Sequence, residues 1–311
     1  MDERKSPLVN WLALVRWPNA LMVMGILWLV RWGITLPIAG ENALPWPLYL
    51  MLSLGMAALT ASGNIYNDLQ DLEADAINKP HRPLASGAIG ADQARNGFYA
   101  AAAASIALSA WPAWHIDQLR LLFFPAFGLL MLVKYAEDFK GRPLLGNLII
   151  AFMSGMVVLM PAFFDLLPLE SVEGAPYRQS ALQVMIAYAS FSFFTTLSRE
   201  LVKTLEDVPG DHQQGYRTAA VAWGTLLTRM LAVVAVVPAM TGLIGLGYVF
   251  AQTSPWTAAM AFALALGLLI YSGLVIAIQS THQAARASAW IKWIMLVGLV
   301  SMLLLALPAY L

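Results

Sequence analysis

The chain has 311 residues and no net charge; 59% are hydrophobic and only 12% charged. Soluble domains carry roughly 25% charged residues, so an ordinary soluble domain is excluded, and zero net charge gives no basic excess for nucleic acid. The absence of cysteine excludes disulfides, thiolate metal sites and a Cys nucleophile.

The apolar residues fall in long blocks rather than amphipathic stripes, the pattern of an integral membrane protein. The N-terminal stretch "MDERKSPLVNWLALVRW" places charge before an apolar run, as a signal peptide does. That run continues to about Ile38 without a cleavage site, so an uncleaved first span over 17–37 is expected. A span needs about 20 apolar residues. Eight more follow, at 46–67, 93–112, 119–135, 144–165, 180–200, 227–250, 256–279 and 288–309. The run "SALQVMIAYASFSFFTTLSRE" carries Ser and Thr on several turns, which suits a helix facing other helices or a cavity.

The connecting loops alternate in charge. Of the 18 Lys and Arg residues, only Arg31, Arg120 and Arg178 flank one set of loops. The rest flank the other set, which includes the N-terminus. The positive-inside rule places that second set, and with it the N-terminus, in the cytoplasm.

The second span ends in "NIYNDLQDLEADAINKPHRPLASG", where Asp68, Asp71, Glu73 and Asp75 fall within eight residues. On a continuing helix, Asn64, Asp68, Asp71 and Asp75 lie within about 60° of one face, with Asn67 on the flank. A charged side chain at the membrane centre costs on the order of 3 kcal/mol. Carboxylates stacked at a span end are therefore expected to face a polar cavity and hold a cation. The oxygen-only donor set favours a hard ion such as Mg²⁺, which completes its shell with water and substrate phosphates. Behind the acids, Lys79 and Arg82 stand in a Pro- and Gly-containing loop that can fold back over the helix end. Lys supplies a point charge and Arg a bidentate grip on phosphate. A solvated helix end is the simpler reading of scattered acids; the regular spacing and the cations behind it favour a diphosphate site.

The theme recurs in "SRELVKTLEDVPGDHQQGYRTAAVAWG". Asp207 and Asp211 form D-x-x-x-D, Arg217 follows, and a glycine closes each unit, Gly87 and Gly224. Glu200, Lys203 and Asp207 share a helical face, while Pro209 and Gly210 are expected to end that helix and leave Asp211 on a turn. Two acidic helix ends on one side suggest two metals clamping one diphosphate, with charge stabilisation of the leaving group. A third loop, "YAEDFKGRPLLGN", offers Lys140, Arg142 and Asn147 on the same side. His81, His115, His212 and His282 lack metal-ligand spacing and read as loop residues.

At these residues the chain resembles the UbiA superfamily of membrane prenyltransferases. Asn67, Asp68, Asp71 and Asp75 match its N-D-x-x-D-x-x-x-D motif, and Asp207 with Asp211 its D-x-x-x-D motif. "NKPHRPLASG", "KGRPLLGN" and "LVRWPN", with Arg16 and Asn19, are also similar to it. The resemblance implies an all-α membrane bundle of about nine helices around a central cavity, a single domain over 1–311. It implies Mg²⁺ held by Asn67, Asp68, Asp71, Asp75, Asp207 and Asp211. Asn19, Asn67, Lys79, Arg82, Lys140, Arg142, Lys203 and Arg217 would contact substrate. The implied reaction transfers a prenyl group from a polyprenyl diphosphate to a lipophilic acceptor in the bilayer. "RELVKTLEDVPGD" looks most like the branch that alkylates geranylgeranylglyceryl phosphate, with Thr204 where an Asp is expected. An aromatic quinone precursor or a tetrapyrrole is the alternative acceptor. A secondary transporter is the rival of another class, but it calls for charges near the midplane rather than at span ends.

Overall fold

A computed structural model describes residues 6–169, 174–213 and 215–304. The charges of residues 1–5, on which the placement of the N-terminus rests, lie outside the described residues. So do the loop at 170–173 and the end of the last expected span, 305–309. The described chain is all helical, with no strand among the described residues.

The helices are α1 (Pro7–Leu14), α2 (Trp17–Val30), α3 (Trp46–Gln70), α4 (Leu72–Asn78), α5 (Ala91–His115), α6 (Phe123–Lys134), α7 (Leu145–Pro161), α8 (Ala175–Glu206), α9 (Val208–Gln213), α10 (Ala219–Phe250), α11 (Pro255–Ile276) and α12 (Thr281–Val300). Three of them continue as wide π-helical turns, at Arg31–Ala39, Tyr135–Phe139 and Ala162–Leu166. Pro37 lies inside the first, and Pro161 immediately precedes the third. Proline removes an N–H from the helical ladder, and a widened turn is one way to absorb that loss.

Helical segments stand at all nine expected span positions, and eight are both long and apolar enough to cross a membrane. The protein is an integral, multi-pass membrane protein. The remaining segment, α5, has 25 residues and is long enough, but its first turns read ADQARNG and its middle is alanine-rich. Those residues lower its hydropathy and suit close packing instead. A Cβ added at Gly55 on α3 would meet Ser109 Oγ on α5 at 2.9 Å. Lipid tails are as apolar as Leu, so helices in a bilayer associate through such close approaches.

The chain divides into two compact units, Met1–Leu27 with Ala43–Phe139, and Trp28–Asn42 with Lys140–Leu311. In the first, Leu14, Ile65, Leu84, Ile89, Ala94 and Phe98 form a buried cluster. It joins α1, α3, α5 and the loop after α4.

The second unit is organised on α8, whose Ser and Thr residues are buried as their pattern predicts. Ser198 Oγ donates to Ala232 O at 2.6 Å and bonds Tyr271 Oη at 2.9 Å, tying α8 to α10 and α11. Thr196 donates to Ser154 Oγ at 2.9 Å on α7. A buried ion pair joins two of the wide turns of this unit: Arg31 lies 3.6 Å from Asp165, which is fully buried. Arg31 also donates to the Asn42 side chain.

Candidate functional site

The first acidic segment keeps its residues together but not on one continuous helix. α3 ends at Gln70, and Asp71 stands at a joint with φ −88° and ψ 6°. Hydrogen bonds still run through the joint: Asp71 N donates to Asn67 O at 3.0 Å, and Asp75 N to Asp71 O at 2.7 Å. α4 therefore continues close to the path of α3. Asp68, Asp71 and Asp75 are 4%, 8% and 6% exposed, whereas Glu73 faces solvent. Asn67 Nδ2 donates to Asp71 Oδ2 at 2.9 Å, so the flanking amide orients the joint carboxylate.

The loop after α4 does fold back. Gly87 adopts φ 73°, a left-handed conformation that glycine takes without steric cost. The turn it allows buries Leu84 and Ile89 in the cluster of the first unit. Arg82 is thereby brought onto the acids: its Nη1 donates to Asp68 Oδ1 at 3.1 Å and to Asp75 Oδ2 at 2.5 Å. Lys79 and His81 are exposed and are not drawn in. Asn19 is also exposed, in the first turn of α2. Its near neighbour Arg16 takes the inward position instead, with Nη2 donating to Asp68 Oδ1 at 2.5 Å. Asn64, expected on the acidic face, donates to Val15 O at 3.0 Å and fastens the α1–α2 junction to α3.

In the second unit, α8 ends at Glu206, and Asp207 is an exposed joint residue with φ −91° and ψ 0°. Asp211 is not on a turn, as Pro209 and Gly210 suggest, but on the short helix α9. Proline at the second position of α9 is compatible with a helical start. Thr218 Oγ1 donates to Asp211 Oδ2 at 2.7 Å. Burial raises the Asp211 carboxyl above its ordinary pKa, and the Asp207 charge adds to the rise; the Thr218 hydrogen bond and Lys140 oppose it. A further cation beside Asp211 would relieve this destabilised charge.

The third loop meets this segment. Arg217 N donates to Gly141 O at 3.0 Å, and the Lys140 ammonium stands 5.8 Å from the centre of the Tyr216 ring. A Cβ at Gly141 would lie 2.8 Å from Tyr216 Cδ1, so only glycine allows this approach without a shift. Arg142 and Arg217 are exposed, and Asn147 is buried in the first turn of α7. Lys203 does not pair with Asp207: its Nζ is 3.0 Å from both Glu200 carboxylate oxygens. Of the four histidines only His81 lies in a loop; His115, His212 and His282 are in the end turns of α5, α9 and α12.

Carboxylate and amide oxygens of this kind suit Mg²⁺, which usually takes one or two carboxylates and completes its shell with water and phosphate oxygens. Among the described residues, no three His, Cys, Asp or Glu side chains converge as a ready-made metal cluster. In the first unit the physical reason is visible, because Arg82 Nη1 lies between Asp68 and Asp75 and contacts both. The donor chemistry fits the ion, with the guanidinium occupying the shared position.

The chain as a whole is similar to known proteins. The profile of the UbiA prenyltransferase family matches residues 14–308. A digeranylgeranylglyceryl phosphate synthase of Methanoculleus marisnigri is 32% identical over 186 residues, covering 60% of this chain and 61% of that relative. A solved digeranylgeranylglyceryl phosphate synthase superposes with a TM-score of 0.73 at 22% identity, over 97% of this chain and 99% of the other. A UbiA homologue from Archaeoglobus fulgidus bound to GPP and Mg²⁺ superposes with a TM-score of 0.56 at 16% identity, over 94% of this chain and 99% of that one. These structural likenesses show the fold.

Proposed function

The chain belongs to the UbiA prenyltransferase family, and on that premise we propose that it transfers a prenyl group from a polyprenyl diphosphate to geranylgeranylglyceryl phosphate, with Mg²⁺ as cofactor. The observation that carries this reading is the pair of acidic segments, each met within its own unit by a loop bearing basic residues. Diphosphate chemistry needs both signs of charge: carboxylates for the metal, and cations for the phosphate oxygens.

Mg²⁺, when bound, supplies charge neutralisation and orientation for the diphosphate leaving group. In the first unit Asp68, Asp71 and Asp75, with Asn67 orienting Asp71, would hold it; in the second, Asp207 and Asp211. Arg82 and Lys140 would neutralise phosphate oxygens, and Lys79, Arg142, Lys203, Arg217 and Asn19 belong to the same proposal as outer contacts. The bond between the prenyl C1 and the diphosphate oxygen breaks with its electron pair leaving on oxygen. The acceptor hydroxyl oxygen forms the new bond to C1 and loses its proton, giving an ether, diphosphate and a proton. Apolar span walls around the allylic cation would keep water from competing with the acceptor. We further propose that residues 1–311 act as one transmembrane domain and that both acidic segments face the cytoplasm, as the asymmetry of basic residues between the loops supports.

One feature favours keeping the aromatic acceptor as a second reading. Thr204 stands where the glyceryl phosphate branch is expected to have an Asp; it is 9% exposed and donates to Leu201 O of its own helix at 2.8 Å, so this position supplies no carboxylate.

The test is a transfer assay with purified protein and geranylgeranyl diphosphate. EDTA is expected to stop turnover and added Mg²⁺ to restore it. Turnover indifferent to EDTA would overturn the metal-dependent scheme.

A further inference from the structure

The first acidic segment contains an arginine that periodicity does not place there. Arg16 stands at the break between α1 and α2 with φ 51°, in the left-handed region that non-glycine residues adopt uncommonly. Such strain persists where the surroundings over-determine it, and it clusters at functional sites. The surroundings here are explicit. Asn64 Nδ2 holds Val15 O at 3.0 Å, Arg16 N donates to Ala13 O at 3.2 Å, and Asn19 N returns to Arg16 O at 2.8 Å. Together these fix the backbone so that the guanidinium reaches Asp68, a residue 4% exposed.

Asp68 Oδ1 thus accepts from two guanidiniums, Arg16 and Arg82, while the same Nη1 of Arg82 reaches on to Asp75. Asp68 and Asp75 stand buried beside Asp71, and carboxylates gathered in this way repel a diphosphate unless cations cover them. A divalent cation added beside them shifts the local charge by two toward positive, the direction a diphosphate requires. The cation and the guanidiniums, however, compete for the same carboxylate oxygen.

Building on the proposed diphosphate chemistry, we infer that Arg16 is a positioning residue whose guanidinium exchanges partners: it holds Asp68 until a divalent cation takes that carboxylate, and is then released to pair with the diphosphate. The strained α1–α2 break sets the strength of this competition. Loading is therefore ordered, with the diphosphate binding tightly only after the cation. Arg82 makes the same exchange from the other side.

The inference is tested by titrating purified full-length protein with Mn²⁺ alone, read by electron paramagnetic resonance, and repeating the titration with inorganic pyrophosphate present. Hydrogen bonds to charged groups contribute enough that removing one competitor shifts an affinity by about tenfold. Arg16→Gln is expected to bind Mn²⁺ alone about tenfold more tightly than the unaltered protein. Arg16→Lys, which keeps the charge but loses the planar fork, is expected to fall between them. With pyrophosphate present the advantage of Arg16→Gln is expected to vanish or reverse, because the released partner is missing. Equal or weaker Mn²⁺ affinity in Arg16→Gln overturns the exchange. If that variant does not fold, Arg16→Lys decides, and an affinity no tighter than that of the unaltered protein overturns it. Asp71→Asn separates the two levels. Mn²⁺ binding that this variant abolishes but Arg16→Gln leaves unchanged sinks the exchange alone. An unaltered protein that binds no Mn²⁺, with or without pyrophosphate, sinks the diphosphate reading beneath it as well.

Discussion

Asp71→Asn and Asp207→Asn are each expected to lower prenyl transfer by about 10³-fold while leaving the protein folded in membranes. The size follows from the several kcal/mol that metal-borne charge stabilisation contributes to a transition state, each 1.36 kcal/mol being tenfold in rate. Asn is close to isosteric with Asp, so the change removes charge rather than volume. At position 71 the new side-chain oxygen can still accept from Asn67 Nδ2, which now donates to Asp71 Oδ2 at 2.9 Å. At position 207 the side chain is exposed, and the backbone bond from its N to Lys203 O is untouched. Groups that act as one unit are grossly non-additive. The double variant is therefore expected to be little worse than either single one, as measured by initial rates at saturating donor. Full activity in either single variant would sink the proposed role of its acidic segment.

A second large effect is expected at a pair that belongs to neither acidic segment. Arg31→Met is expected to destabilise the fold by about 3–5 kcal/mol, because it leaves a buried carboxylate without its charge partner. Asp165 is fully buried and pairs with Arg31 at 3.6 Å, and both lie in wide helical turns of the second unit. Replacing both partners by apolar residues of similar size is often neutral. The double variant Arg31→Met with Asp165→Leu is thus expected to recover most of the loss, read as the thermal midpoint in detergent. Equal midpoints for Arg31→Met and the unaltered protein would show that the pair contributes nothing.

The sequence makes the spans legible because a bilayer imposes one strong rule, about 20 apolar residues per crossing. α5 is expected as a span like the others and is helical from Ala91 to His115, but the polar residues of its first turns and its alanine-rich middle leave it less apolar than the other eight. The first acidic motif is legible for a related reason: Asp68, Asp71 and Asp75 are close in sequence and all end up buried. The break at Asp71 is not legible, since hydrogen bonds of helical spacing run through it and periodicity barely changes. Gly87 and Gly224, read as closing the two polar units, both adopt positive φ, at 73° and 81°. Partners distant in sequence are what local reasoning misses. Arg16 reaches Asp68 across 52 residues, so the reading of "LVRWPN" puts Asn19 forward as the contact while Arg16 takes the inward position. Arg31 reads as a loop-flanking charge and proves to be 4% exposed. Lys203 is drawn to Glu200 one turn away instead of to Asp207, because the i, i+3 neighbour is the nearer carboxylate.

Which molecule receives the prenyl group decides the function, and one measurement addresses it directly. Purified protein with Mg²⁺ and geranylgeranyl diphosphate is offered geranylgeranylglyceryl phosphate, an aromatic acid and a quinone precursor in parallel, and the products are identified by mass. The expected result is an ether product with geranylgeranylglyceryl phosphate, formed faster than any other product and absent when Mg²⁺ is removed. Product from the aromatic acceptors alone would contradict the proposed acceptor, and no product from any of them would contradict the proposed reaction.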